Sequence, residues 1–147
     1  MYLLDTNHCS KLIDGNPKII EKLRELGDET LATCVVVKGE LRFMVARSQQ
    51  KVENDRKVSA FLNDIQILPV DGVVADEYAK IKVAILSKYG PKGKSAQRNV
   101  KVEKMGFSDN DIWIAAIANC NSLTVVTADG DFTRIGQATG LKVENWI

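Results

Sequence analysis

The stretch Gly106-Phe-Ser-Asp-Asn-Asp-Ile-Trp-Ile-Ala-Ala-Ile-Ala118 predicts a buried helix that carries two carboxylates, Asp109 and Asp111, at its start. Ser, Asp and Asn are common at helix starts because their side-chain oxygens accept hydrogen bonds from free backbone N–H groups, and the helix dipole favours negative charge there. Two acids and an amide are more than one cap requires, and the apolar residues behind them indicate burial. We therefore expect a cation to be held here, with the help of acids from elsewhere in the chain.

The rest of the chain alternates between short apolar runs and segments with helical periodicity. Such alternation predicts crossover connections and an α/β fold, in which a five-stranded parallel sheet is flanked by helices on both faces. The proline in the third run favours an edge position for that strand. The predicted strands are Tyr2–Asp5, Leu31–Val37, Ile67–Val70, Leu123–Thr127 and Lys142–Trp146, and the main predicted helices are Lys38–Ala46, Lys51–Asp64 and Val73–Tyr89.

Length and composition are those of one globular domain over residues 1–147, with 45% hydrophobic and 27% charged residues. The longest apolar run, Ile112–Ala118, is far shorter than the ~20 residues that span a bilayer. Three widely spaced cysteines and no visible signal peptide lead us to expect a cytoplasmic protein with reduced thiols and no membrane segment. The net charge of +1 implies that any affinity for nucleic acid comes from a local patch.

Four acids are expected at one edge of the predicted sheet. Asp5 ends the first strand and Asp129 follows the fourth, whereas Glu40 lies in the helix after the second strand and Asp111 opens the helix before the fourth. Ligands of open parallel sheets bind beyond the carboxyl ends of the strands. Four crowded carboxylates favour a hard cation such as Mg²⁺ or Mn²⁺, which supports a hypothesis of metal-dependent phosphodiester cleavage.

Several of these residues also have ordinary structural interpretations. Asp129 and Asp131 are compatible with a simple turn, and Asp109 suits a helix cap or a supporting contact better than a metal ligand. Asp71 is interpreted as the N-cap of the long helix. The only histidine, His8, is expected to pack rather than to catalyse, because the sequence offers it no second histidine and no ordered serine partner.

These residues resemble the PIN-domain ribonucleases, and most of all the VapC-type toxins of bacterial toxin–antitoxin pairs. The resemblance covers nearly the whole chain. It implies a PIN fold, Mg²⁺- or Mn²⁺-dependent endonuclease cleavage of RNA by a metal-activated water, a cognate antitoxin partner and a homodimer. The motifs are Leu3-Leu-Asp5-Thr-Asn7, Glu40-Leu41, Asn110-Asp111-Ile-Trp-Ile-Ala-Ala116, Val125-Val-Thr127-Ala-Asp129-Gly-Asp131-Phe132 and Val143-Glu-Asn-Trp146.

Site residues follow from this motif match. Three of them, Asp5, Glu40 and Asp111, occupy the positions of the core catalytic and metal-binding acids, and Asp129 occupies the more variable fourth. The match leaves open whether Asp131 takes that fourth role instead. The polar residues at supporting positions are Thr6, Asn7 and Thr127.

Residues 88–104 are longer than the connection common in small toxins of this type and carry six basic residues against one acid, Glu103. They are compatible with a solvated loop or with an arm that contacts RNA phosphates. Two rival functions also stay open: an inactive PIN-like module that binds RNA or protein, and a receiver-type signalling domain built on Asp5, Asp71 and Thr127.

Overall fold

Five short strands form one parallel sheet in the order β3-β2-β1-β4-β5, with the first strand of the chain at its centre. The computed structural model describes residues 1–147. Each strand is only two to four residues long, because the chain turns into a helix soon after it crosses the sheet. The strands are β1 (Tyr2–Leu4), β2 (Leu31–Cys34), β3 (Gln66–Leu68), β4 (Thr124–Val126) and β5 (Val143–Glu144).

Helices connect the strands and flank the sheet, which confirms the predicted architecture of the domain. The predicted N-cap Asp71 is confirmed, and Asn16 caps a further helix in the same way, through its side-chain oxygen. The helices are α1 (Thr6–Ile13), α2 (Pro17–Leu26), α3 (Val35–Arg47), α4 (Lys51–Asp64), α5 (Gly72–Tyr89), α6 (Lys94–Gln97), α7 (Asp109–Cys120) and α8 (Gly130–Thr139), and a 3₁₀ turn covers Val102–Met105.

The second strand ends earlier than the sequence suggests. The β-branched run Val35-Val36-Val37 favours a continued strand, but these residues form the first turn of α3. The neighbouring strands β1 and β3 stop at Leu4 and Leu68, so residues beyond Cys34 have no backbone ladder to join. Tertiary context therefore overrides strand propensity at this point.

The core lies against the sheet and includes almost all of α7. Residues Ile112 and Ile114 to Ala118 are buried, which confirms the apolar helix inferred from this stretch. Phe107 and Phe132 flank it as two of the largest fully buried side chains. No helix combines the length and the apolar character that crossing a lipid bilayer requires.

The strand order changes direction between β1 and β4. From β1 the chain builds outward through β2 and β3, and it then returns to the other side of β1 with β4 and β5. Such a switch point leaves a crevice beyond the carboxyl ends of the two central strands. Asp5 follows β1 directly and Asp129 lies three residues beyond β4, so both acids come to this crevice.

Candidate active site

A cleft at this switch point contains all four of the acids that the sequence predicts to share a site. It is lined by polar residues from β1, α1, α3, α7 and α8 and by a few apolar side chains on one wall. Its lining residues are Asp5, Thr6, Asn7, Glu40, Phe43, Met44, Ser108, Asp111, Ile114, Asp129 and Phe132.

Asp5 is held firmly at the floor of the cleft. The residue is 5% exposed, and it is also the N-cap of α1. Its Oδ1 atom accepts a hydrogen bond from the His8 backbone N–H at 2.7 Å and lies 3.0 Å from Nδ1 of the same residue. These contacts occupy Oδ1 and leave Oδ2 as the oxygen available to a ligand.

Glu40 joins three separate parts of the sequence through one carboxylate. One of its oxygens accepts a hydrogen bond from the Thr6 hydroxyl. The other accepts from the Asn110 side-chain amide at 2.7 Å. A carboxylate oxygen has more than one lone pair, so both oxygens keep the capacity to contact a cation. The start of α1, the middle of α3 and the start of α7 are thereby fixed relative to one another.

Asp111 is the acid whose protonation is most strongly affected by the fold. Burial, and after it the negative charges of nearby acids, together raise the pKa of this carboxyl from 3.8 to about 7. Without a neutralising cation, the fold therefore favours the protonated form of Asp111 far more than water does. The acids that contribute are Asp129, Glu40, Asp131 and Asp5, in descending order of effect.

Asp129 and Asp131 stand together at the start of α8. The Asp129 side chain caps this helix by accepting from the Asp131 backbone N–H at 2.9 Å, and the Asp129 backbone N–H donates to the Thr127 hydroxyl at 3.0 Å. Asp111, Asp129 and Asp131 each offer an oxygen within 4.8 Å of the others. Asp131 is also paired with Arg134, whose Nη1 lies 3.1 Å from its Oδ1.

Of the supporting residues, Thr6 and Asn7 line the cleft, whereas Thr127 and Asp109 lie outside its lining. Thr6 and Thr127 bind Glu40 and the Asp129 backbone, and Asn7 lines the cleft. Asp109 instead accepts a hydrogen bond from the Tyr78 hydroxyl and lies 3.8 Å from Nζ of Lys82, outside the cleft lining.

Sequence reasoning assigned no role to two residues that matter to the geometry. Asn110 holds Glu40, although the two are 70 positions apart, and no local pattern could show this contact. Arg134 lies three residues after Asp131 on a helix, a spacing that brings side chains together and could have indicated the pair. Its guanidinium also packs over the Phe107 ring at 4.1 Å and donates to the Met105 carbonyl, so it ties α8 to the segment before α7.

The donor set fits a hard divalent cation. Asp111, Asp129 and Asp131, which the N-termini of α7 and α8 hold within one small volume, offer carboxylate oxygens of the kind that suits Mg²⁺ or Mn²⁺. The pKa of Asp111 is raised first by burial and then by the surrounding carboxylates, whose charge no cation balances. The cleft therefore contains an acidic group capable of holding a divalent cation.

Residues 2–138 match the family described as PIN domain. The chain belongs to the PIN-domain family. The match extends over most of the chain and includes every acid of the cleft, so it confirms the resemblance inferred from the sequence motifs. It also excludes the receiver-type alternative, and the structure agrees, because Asp71 caps α5 rather than entering the cleft.

Named relatives place this PIN domain close to one group of proteins. It is 27% identical over 151 aligned residues to the protein named Ribonuclease VapC2 of Rickettsia felis, with 99% of this chain and 98% of that protein covered. It is 26% identical over 117 residues to the protein named Ribonuclease VapC5 of Mycobacterium tuberculosis, with 78% of this chain and 76% of that protein covered.

Solved structures show the same fold for this PIN domain. The crystal structure of VapBC2 from Rickettsia felis bound to a DNA fragment from their promoter superposes with a TM-score of 0.77 at 26% identity, covering 99% of this chain and 98% of that chain. The crystal structure of FitAcB from Neisseria gonorrhoeae gives a TM-score of 0.71 at 27% identity, covering 99% and 97%.

Proposed function

We propose that this PIN domain is a metal-dependent endoribonuclease and the toxin of a type II toxin–antitoxin pair. The observation that carries the proposal is the gathering of Asp5, Glu40, Asp111 and Asp129 around one cleft, where burial and mutual repulsion leave Asp111 with a pKa of about 7. The relatives named Ribonuclease VapC2 and VapC5 support the choice of RNA as the substrate.

The proposed mechanism assigns a task to each acid. Asp5, Glu40, Asp111 and Asp129 would hold the ion, and Asp131 would orient the attacking water or contribute to a second site. When bound, Mg²⁺ or Mn²⁺ polarises a phosphoryl oxygen and lowers the pKa of a water molecule. Burial and the neighbouring acids raise the pKa of Asp111, so a cation held beside this carboxyl would favour its ionised form.

An antitoxin partner is proposed on two grounds. Structures similar to this chain are described as VapBC and FitAcB, and the chain resembles them over its whole length. The mouth of the cleft also combines acids with two exposed apolar side chains, Phe43 at 61% and Met44 at 47% exposure. A protein segment with basic and apolar side chains would complement this surface. The predicted homodimer stays a prediction from the resemblance.

The first experiment measures cleavage of a mixed, structured RNA by purified protein in Mn²⁺, in Mg²⁺ and in chelator. Asp111→Asn removes one charge from the cleft, and Asp76→Asn removes one from an exposed position on α5 as a matched control. We expect metal-dependent cutting by the parent and by Asp76→Asn, and a loss of at least 100-fold in Asp111→Asn. Mutations of metal-site partners alone typically cost about 10- to 100-fold.

The outcomes separate the alternatives. Equal cutting by the parent and Asp111→Asn would show a contaminating nuclease or a misplaced site. Binding of RNA without cutting, in every metal and on several RNAs, would support the inactive PIN-like module instead.

A further inference from the structure

His8 is completely buried behind the acidic cleft, and each of its ring nitrogens faces one polar group. The residue has no exposed surface. Nδ1 lies 3.0 Å from Oδ1 of Asp5, and Nε2 lies 3.4 Å from the backbone nitrogen of Trp146. The sequence alone indicated packing for this histidine, but its ring bridges the cleft and the segment after β5.

The two contacts together define the tautomer of the ring. A backbone N–H can only donate, so Nε2 must accept from Trp146 and carries no proton. The proton of the imidazole is then on Nδ1, where it points at the carboxylate of Asp5. With the His8 backbone N–H at 2.7 Å, Oδ1 of Asp5 receives two donors from one residue.

We propose that His8 is a positioning residue that fixes the Asp5 carboxylate for cation binding. The Nδ1–H and the backbone N–H of His8 anchor Oδ1, so the Asp5 side chain cannot rotate and Oδ2 is presented to the cleft. Partners that orient a ligating carboxylate in this way commonly affect metal affinity and activity about 10- to 100-fold. This inference rests on the proposed function, because it takes Asp5 to be a metal ligand.

The same geometry connects the last strand to the active site. Trp146 is buried and packs edge-on against Tyr2, with ring centroids 5.1 Å apart. Its backbone N–H holds the His8 ring at Nε2, and His8 in turn holds Asp5. The segment after β5 therefore contributes to the orientation of an acid that follows β1, although it supplies no group to the cleft itself.

The tautomer can be tested directly because His8 is the only histidine in the chain. When the protein is labelled with ¹⁵N in histidine, its NMR spectrum contains the ring nitrogen signals of His8 alone. The spectrum is recorded at mildly alkaline pH in chelator. We expect a protonated Nδ1 and an unprotonated Nε2. The opposite tautomer, or rapid exchange between the two, would overturn the proposal. This measurement requires neither a metal ion nor activity.

A pair of variants then tests the consequence for the site. His8→Asn keeps a side-chain N–H near the position of Nδ1, whereas His8→Leu fills similar space without a donor. We expect His8→Leu to lower Mn²⁺ affinity and kcat about 10- to 100-fold with little change in KM for RNA, and His8→Asn to recover most of both. Thermal unfolding in chelator reports whether either variant has lost its fold.

Each result has a defined meaning. If His8→Leu is folded and binds Mn²⁺ as the parent does, or if folded His8→Asn is as impaired as His8→Leu, His8 does not position Asp5. If His8→Leu fails to fold, the Mn²⁺ affinity of His8→Asn and the ring spectrum decide the question. A parent protein that neither binds Mn²⁺ nor cuts RNA would overturn the proposed function, and this inference would fall with it.

Discussion

Asp111 illustrates how one residue can serve a site and weaken the fold that carries it. Its carboxyl is packed among four other acids, and its pKa in the fold is about 7 rather than 3.8. Between these pH values the folded chain binds more protons than the unfolded chain does. The contribution of Asp111 to the free energy of unfolding therefore becomes less favourable as pH rises from about 4 to about 7.

We predict that Asp111→Asn is more stable than the parent at about pH 8 in chelator. The pKa shift corresponds to several kcal/mol at most, and because the side chain is partly solvated the expected gain is on the order of 1 kcal/mol, or about 2–4 °C in Tm. Near pH 4 the two proteins should melt at similar temperatures. Thermal melts across this range test the prediction, and a parent that is more stable than the variant at pH 8 would contradict it.

At the level of elements, Asp71 shows a cap that the sequence identified and the structure confirms. Its side chain accepts a hydrogen bond from the Val74 backbone N–H at 2.9 Å at the start of α5. We predict that Asp71→Ala lowers the free energy of unfolding by about 1 kcal/mol, because a free N–H is left at the helix start. RNA cleavage per folded molecule should be unchanged.

Denaturant unfolding and the cleavage assay measure these two effects. Asp76→Ala is the matched control, since it removes an exposed acid from the same helix without touching the cap, and it should alter stability by less than about 0.5 kcal/mol. Equal destabilisation by both substitutions would show that the cap hydrogen bond is not responsible.

The elements also show which parts of the fold can be predicted from the sequence. Helices with a cap and an apolar stripe were predicted at their true positions, and the acids could be placed at one sheet edge because parallel strands share their carboxyl ends. The end of β2 could not be predicted, because it depends on where β1 and β3 stop. The contacts of Glu40 with Thr6 and Asn110 could not be predicted either, since these residues lie 34 and 70 positions from Glu40 in the sequence.

Although the net charge of the whole molecule is only +1, residues 88–104 form a basic segment that comes shortly before the cleft residue Ser108 in the chain. Residues 88–104 form the end of α5, the short α6 and the 3₁₀ turn, and they run on to Ser108 in the cleft lining. Lys92, Lys94 and Arg98 are exposed there. The affinity of a protein for single-stranded RNA falls as the salt concentration rises. The slope of log affinity against log salt is proportional to the number of phosphates that the protein contacts.

We predict that the triple change Lys92→Gln, Lys94→Gln and Arg98→Gln raises KM for RNA, leaves kcat unchanged and reduces the slope of log KM against log salt by about 2. Cleavage rates measured across a salt series test this. The control replaces Lys18, Arg24 and Lys51 with Gln, which removes the same charge from other exposed positions. An identical salt dependence in both triple variants would support a solvated segment without contact to RNA.

The position of β1 at the centre of the sheet has a consequence for how the protein is made. During synthesis, β1 lacks its neighbour on one flank until Thr124–Val126 have been made. Asp111 and Asp129 also reach their places only at that late stage, long after Asp5 and Glu40. For most of its translation, a growing chain therefore carries only two of the four cleft acids, Asp5 and Glu40, and has no complete cleft. Under the proposed function, the growing chain could therefore cut RNA only after residues 124–129 have been synthesised.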